Sequence, residues 1–321
     1  MGGKVHGAAA PAMKLTNLET FVWVARLGSF SAAGERLHAT QPTISARIAS
    51  LEQSLGVTLF ERSGKSSSLS PRGLQLLPYA EKMLGLANEI ELVVGDKEAV
   101  SGIVRLGTSE TLVHTWLPDL LRRVHGEYPG VTIEILVDLT VNLRERLVSR
   151  EIDVAFLLGP VSEPNMANTA LCAYSMVWVA APDFALPEGT LSLADLAALP
   201  IITFLRPTRP HVFLREALAG PDLPPLRISG SSSLATMIRM VEDGLGVSPL
   251  PWEVVRPGVE SGQLRRFETA LALPDLEFTA TYPVSPPNPM IGLIEKMALE
   301  TVKLETAKLE TVTLETEASL R

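Results

Sequence analysis

Apolar and polar positions divide the chain into three regimes. From Leu15 to Leu55 the apolar residues recur at helical spacing. Leu15, Leu18, Val22 and Ala25 come first, with Phe21 beside them, then Ala33 and Leu37, then Ile44, Ile48, Leu51 and Leu55. Gly28 and Gly56 stop the first and third of these helices. Ser31 can cap the second and Thr40 the third, which opens on Gln41-Pro42. Proline is tolerated there because first-turn N–H groups have no intrahelical acceptor. The break before it is His38-Ala39-Thr40. Leu59 to Arg62 reads as a short strand and Ser63 to Ser68 as an exposed turn.

The second regime starts at Ser70-Pro71, a capping residue followed by a proline suited to a first helical position. Leu76, Ala80, Met83, Ala87, Ile90 and Val94 alternate spacings of four and three, a heptad seam that asks for a partner helix. Pro78 removes one backbone hydrogen bond and predicts a kink or a restart.

Ser101-Gly102 opens the third regime. Strand-like runs at 103–106, 131–137, 152–158, 176–181, 201–204, 226–229 and 247–250 alternate with helical ones at 112–124, 143–148, 193–198, 212–219 and 234–242. The alternation implies βαβ units in two α/β lobes, with ligands favoured at the carboxyl ends of the strands. Leu-Glu-Thr then repeats every five residues from Leu299 to Thr316. Five residues turn a helix by about 500°, so these leucines spiral instead of forming one stripe. The repeat reads as low-complexity decoration, a frayed extension of a final helix.

Hydrophobic residues make up 46% of the 321, enough for a packed core, so wholesale disorder is excluded. The single cysteine, Cys172, excludes an intrachain disulfide and any multi-cysteine zinc site. No stretch approaches the ~18 apolar residues of a membrane span. Met1 to Ala12 lack the apolar core of a signal peptide and read as a flexible tail. A cytoplasmic protein with no membrane partner is the expectation. Residues 1–72 carry eight Lys/Arg against four Glu, although the whole chain has a net charge of −8. A basic end on an acidic body suggests that one end meets a polyanion.

Two short helices joined by a tight break, the second with a polar outer face, form a helix-turn-helix pattern. A major groove admits one α-helix, whose N-terminal side chains reach base edges. With Ile44, Ile48 and Leu51 turned inward, Gln41, Thr43, Ser45, Arg47 and Ser50 are the candidates to face outward. Gln bonds adenine bidentately, Arg bonds guanine or phosphate, and Ser or Thr bonds either class of partner. Arg62 and Lys65 fall on a strand–turn–strand wing suited to a phosphate or a minor groove.

These residues carry a resemblance. Leu18-Glu19-Thr20-Phe21, Gly28-Ser29-Phe30-Ser31-Ala32-Ala33, Gln41-Pro42-Thr43-Ile44-Ser45, Leu55-Gly56-Val57-Thr58-Leu59-Phe60-Glu61-Arg62 and Leu69-Ser70-Pro71-Arg72-Gly73 resemble the N-terminal signature of LysR-type transcriptional regulators. The resemblance implies an N-terminal all-α winged helix-turn-helix, a long linker helix, and a two-lobed α/β domain resembling periplasmic binding proteins. The expected segments are a tail at 1–13, a DNA-binding domain at 14–70, a linker/dimerisation helix at 71–100, a regulatory domain at 101–297 and a repeat tail at 298–321. Lobe I is expected at about 101–162 and 266–297, and lobe II at about 163–265. The implied partners are a double-stranded DNA operator, a small-molecule effector, and further copies of the chain, as a homodimer through the linker helix and a homotetramer. Ser31, Gln41, Pro42, Thr43, Ser45, Arg47, Arg62 and Lys65 make up the expected DNA-contacting set. Two positions depart from the family pattern. Ala46 stands where arginine is common, with Arg47 after it, and Leu-Ser-Pro replaces Leu-Thr-Pro.

Polar residues cluster where strands of the body end, at 108–111, at Thr140, at 203–206 and at 231–233. Helix N-termini with free N–H groups attract anions, and the resemblance implies that a small carboxylate is among the candidate inducers. By resemblance Ser109, Thr111, Thr140, Thr203 and Arg206 form the expected inducer-binding set, and Glu110 beside them would repel an anion unless paired. The histidines show no metal-ligand spacing, and no nucleophile–base or phosphate-loop motif stands out. No cofactor, metal or catalytic activity is expected. The alternative to a regulator is a cytoplasmic small-molecule-binding protein without DNA function.

Overall fold

The computed structural model describes residues 13–63, 66–94, 100–285 and 288–319. Most of the expected N-terminal tail lies outside them. The chain forms two compact units, one of residues 1–97 with 284–289, the other of 98–283 with 290–321.

In the first unit, α1 (Leu15–Leu27) ends at Gly28, whose φ of 63° is left-handed and suits glycine. Helix α2 (Phe30–Arg36) is capped by Ser29, whose side chain accepts the Ala32 N–H at 3.3 Å. The cap is therefore two residues before Ser31, which is exposed in the first turn. Helix α3 (Gln41–Leu55) is capped by Thr40, as its sequence predicts. Leu18, Phe21, Val22, Ile44, Ile48 and Leu51 are buried together. The turn between α2 and α3 is closed by the Ala39 N–H donating to the Gly34 carbonyl at 2.8 Å. A Cβ at Gly34 would stand 2.7 Å from the Ala39 carbonyl oxygen. Strands β1 (Phe60–Ser63) and β2 (Ser66–Leu69) pair antiparallel, Phe60 opposite Leu69, and build the wing.

Helix α4 (Pro71–Val94) runs without a restart through Pro78. The expected seam stays exposed at Met83, Ile90 and Val94 and is lost at Leu76 and Ala80. Ala80 and Leu84 are buried in the unit's own core, with Leu76 and Leu77 packed against it. Arg26 of α1 donates to Glu81 of α4 at 2.9 Å on the same side. Tyr79 and Leu86 join Met83 and Ile90 in the exposed apolar stripe. The stripe headed by Leu76 and Ala80 was claimed by α1, because several adjacent apolar residues on α4 allow more than one helical register.

The second unit opens with β3 (Gly102–Thr108), α5 (Glu110–Val113), α6 (Leu117–Glu127), β4 (Val131–Val137), α7 (Thr140–Val148), β5 (Val154–Leu158), β6 (Met166–Tyr174) and β7 (Met176–Ala180). It continues with α8 (Leu193–Ala198), β8 (Pro200–Phe204), α9 (Arg209–Ala217), β9 (Arg227–Ser231), α10 (Leu234–Glu242) and β10 (Ser248–Pro251). Last come α11 (Trp252–Glu260), β11 (Arg265–Phe267), β12 (Leu276–Pro283) and α12 (Pro289–Ser319).

One sheet has the order β4-β3-β5-β12-β6, with β3 parallel to β4 and β5, and β12 antiparallel to β5 and β6. The other lobe repeats the plan. Strands β8 and β9 are parallel, and β10 is antiparallel to β7, which pairs with β11. Strand β8 meets β10 at a parallel Ile201–Val247 bridge, with the Ile202 N–H on the Val247 carbonyl at 2.8 Å. Each sheet is thus mixed where βαβ alternation alone predicts it parallel. Strand β6 also corrects the lobe boundary: residues 166–174 fall in the segment expected for lobe II, yet they pair with β12 in the first sheet.

The repeat is helical, and its first copy belongs to the fold. Ala298, Thr301 and Val302 are buried. Arg123 of α6 donates to Thr301 Oγ1 and to Glu300, each at 2.8 Å. That hydrogen bond and charge hold the Glu300 carboxyl below its ordinary value. The boundary expected at 298 therefore cuts through packed structure.

Gly34→Ala should destabilise the first unit by about 1–3 kcal/mol, because the new methyl meets backbone that can move only by opening the turn. Urea unfolding checks this, and an unchanged midpoint would contradict it.

Candidate functional site

Gln41, Pro42, Thr43, Ser45 and Ala46 are all exposed on the first turns of α3, while Ile44 and Ile48 are buried. Part of this face is fixed, since the Thr43 N–H donates to the Thr40 hydroxyl and the two hydroxyls lie 2.9 Å apart. Arg47 and Ser50 do not share it. Arg47 is half-buried and donates to the Thr20 hydroxyl of α1 at 3.4 Å, and Asn17 of α1 donates to Ser50 at 3.3 Å. Burial raises the Glu19 carboxyl above its ordinary value, while neighbouring Arg47 pulls it back down. Arg47 lies about 60° round the helix from Ile44, on the flank of the buried stripe, and α1 meets both side chains. Ser31 is exposed on α2. Arg62 lies on β1 opposite Ser67, and Lys65 falls outside the described residues.

In the second unit a cavity of about 600 Å³ opens where strands of both lobes end. Ser109, Thr111 and Thr140 line it, as do Ser232 and Ser233. Ser109 precedes α5 but makes no side-chain cap bond, which leaves its hydroxyl available to a ligand. Thr140 is tied to the wall, since its hydroxyl accepts the Leu158 N–H at 3.3 Å. Thr203 and Arg206 are not in the lining. Thr203 is fully buried and its hydroxyl has no hydrogen-bond partner among the described residues. Neighbouring strand residues point to opposite faces, so Phe204 reaches the cavity and Thr203 does not. Arg206 donates to His211 of α9 at 3.2 Å.

Sequence reasoning missed the cavity's other charged residues. Arg209 lines it and donates across the cleft to the Gly159 carbonyl at 3.0 Å. Arg144 lines it beside Thr140 and pairs with Glu163. Asp138 accepts from the Leu139 N–H and from Asn142, each at 2.7 Å. The signal for these residues was position alone, just past a strand end or in the next helix turn. Much of the remaining wall is apolar, including Val137, Leu158, Phe204 and Phe278.

Residues 15–74 match the family described as bacterial regulatory helix-turn-helix protein, lysR family, and residues 97–293 match the LysR substrate binding domain. The HTH-type transcriptional regulator CzcR of Bacillus subtilis (strain 168) is 30% identical over 76% of this chain and 82% of its own length. The regulator GltR of the same organism is 28% identical over 79% of this chain and 84% of its own. Among solved structures, a full-length OxyR variant from Pseudomonas aeruginosa is similar, at 26% identity with a TM-score of 0.59, covering 91% of this chain and 95% of that one.

Other chemistry finds little purchase. Among the described residues no group of three or more His, Cys, Asp or Glu could hold a metal, and no helix is long and apolar enough to cross a membrane. Burial pushes the Cys172 thiol up to about 11. At pH 8 such a thiol is roughly one part in a thousand thiolate, against about a quarter for a free cysteine. Native protein should therefore react with 5,5′-dithiobis(2-nitrobenzoate) about 100-fold more slowly than urea-unfolded protein. Equal rates would contradict the burial argument.

Proposed function

The chain belongs to the LysR family of transcriptional regulators, and we propose that it reads an operator with the first turns of α3 and senses a small molecule in the cleft of its second unit. Proteins of this family bind DNA operators and small-molecule effectors and form oligomers; they are regulators, not enzymes. The observation that carries the proposal is one chain holding both a polar helix face left exposed by the described residues and a cleft at the strand ends. The alternative of a small-molecule binder without DNA function leaves the match over residues 15–74 without a purpose. Acting on an operator would place the protein in the cytoplasm.

Gln41, Pro42, Thr43 and Ser45 form the reading face, with Ser31 beside them on α2. Arg62 on the wing, and Lys65 three residues on in sequence, supply cations for the phosphate backbone. Arg47, held against α1, acts as a positioning residue that adds charge near the backbone and takes no part in base choice. The effector occupies the cleft beside Ser109, Thr111 and Thr140. Two chains pair through the exposed stripe of α4, and two such pairs make a homotetramer that bends its operator. Effector binding changes that bend and so transcription.

If Gln41 reads an adenine edge, Gln41→Ala should cost about 1–3 kcal/mol on cognate DNA and relax preference at one base position. Arg47→Ala should weaken cognate and scrambled DNA alike, with the salt slope reduced by roughly one. Fluorescence anisotropy at several salt concentrations separates the two, and a change of base preference in the Arg47 variant would contradict its assignment. For the pairing helix, Met83→Glu with Leu86→Glu should turn dimers into monomers at micromolar concentration, read by sedimentation velocity. An unchanged oligomer would move the interface elsewhere.

A further inference from the structure

Glu110 opens α5 in the first lobe, and its carboxylate reaches the N-terminus of α10 in the second. Oε2 accepts the Leu234 N–H at 2.6 Å, and Oε1 accepts the Ala235 N–H at 3.1 Å and the Ser233 hydroxyl at 3.3 Å. His114, one turn on, lies 3.7 Å from Oε1. Helix α10 spans nine residues, and its first N–H groups have no intrahelical acceptors, so they form a ready seat for an anion. That seat lies in the wall of the cavity, since Glu110, Ser232 and Ser233 all line it. The protein has filled it with its own carboxylate.

The cavity's other ionised side chains are likewise engaged. Asp138 is bound to the Leu139 N–H and Asn142, Arg144 to Glu163, and Arg209 to the Gly159 carbonyl. With Glu163 counted against Arg144, three carboxylates (Glu110, Asp138, Glu163) face two guanidinium groups (Arg144, Arg209), so an anionic ligand adds to an excess of negative charge, whereas an uncharged one meets apolar wall and the hydroxyl of Ser109.

We propose that Glu110 is the specificity-determining residue of the cleft: it occupies the α10 seat in place of a ligand carboxylate, so the effector is an uncharged, mainly apolar small molecule bearing hydroxyl or carbonyl groups. This rests on the cleft being the effector site and names the class of molecule it takes. It also replaces the carboxylate expected from the family resemblance and the helix N-termini. A tethered carboxylate competes at high effective concentration, and an anion placed beside it without displacing it meets like charge in a partly desolvated site.

The test uses full-length protein and two probes of one shape, 2-naphthylmethanol and 2-naphthoate, titrated calorimetrically at pH 7.5. Wild type should bind the alcohol at least about tenfold more tightly than the carboxylate. Glu110→Ala, which empties the seat while Ser233 still caps α10, should shift that ratio about tenfold or more toward naphthoate. Glu110→Gln, which removes the charge but fills the space, should shift it less. A wild type that prefers naphthoate, or a ratio that neither variant moves, overturns the proposal and leaves the cleft standing as a binding site. Failure of both probes to bind any of the three proteins overturns the cleft reading as well.

Discussion

Burial of Ile44, Ile48 and Leu51 against α1 is the constraint on which the first unit depends. An α-helix has no freedom to choose its outer face once its inner face is fixed. With those three residues inward, Pro42, Ser45 and Ala46 must point away, Gln41 and Thr43 are exposed because they lie in the helix's opening turn, and Arg47 and Ser50 are received by α1. The close approach at Gly34 and the Thr40 cap then set where the helix starts. Large-to-small changes at such buried positions typically cost about 2–5 kcal/mol, several times the net worth of a single surface hydrogen bond, so the core decides the presentation.

The second unit gathers the polar groups at its strand ends around one cleft. Its two lobes repeat one sheet plan, three parallel strands extended by antiparallel ones. The chain passes between lobes from β6 into β7 and again from β11 to β12. Strand ends from both sheets therefore face one cleft, where carbonyls and helix N-termini gather. Glu110 and Arg209 each answer such a group across the cleft, one a set of N–H donors and the other a carbonyl. The lobes are thus held by the same chemistry that would otherwise attract a ligand.

Much of this was legible in the residues. Helical periodicity located α1, α3 and the start of α4, and the Leu18-to-Gly73 signature carried the family. Where the reading slipped, the cause was local ambiguity settled by tertiary contact. Leu74, Leu76, Leu77 and Tyr79 crowd one stretch of α4, so the stripe that would face another copy could not be separated from the one α1 claims. Strands β6 and β12 pair over long sequence separation, and β6 mixes small, polar and apolar residues without clean alternation. In the cleft small offsets decided the outcome twice: Phe204, one position on, faces it where Thr203 does not, and Arg209, three positions on, enters it where Arg206 turns to His211. The partner of Glu110 lies more than a hundred residues away, beyond any local pattern.

The central claim is that the start of α3 is the surface that meets DNA. Hydrogen–deuterium exchange of the full-length protein, with and without a fragment spanning the region upstream of its own gene, tests it at the residues concerned. First-turn amides exchange readily in free protein because they lack intrahelical acceptors. Bound DNA should slow exchange in the first turns of α3 and along the wing strands, while the flank carrying Ser50 changes little. Binding that leaves the exchange of residues 41–47 unaltered would contradict the account.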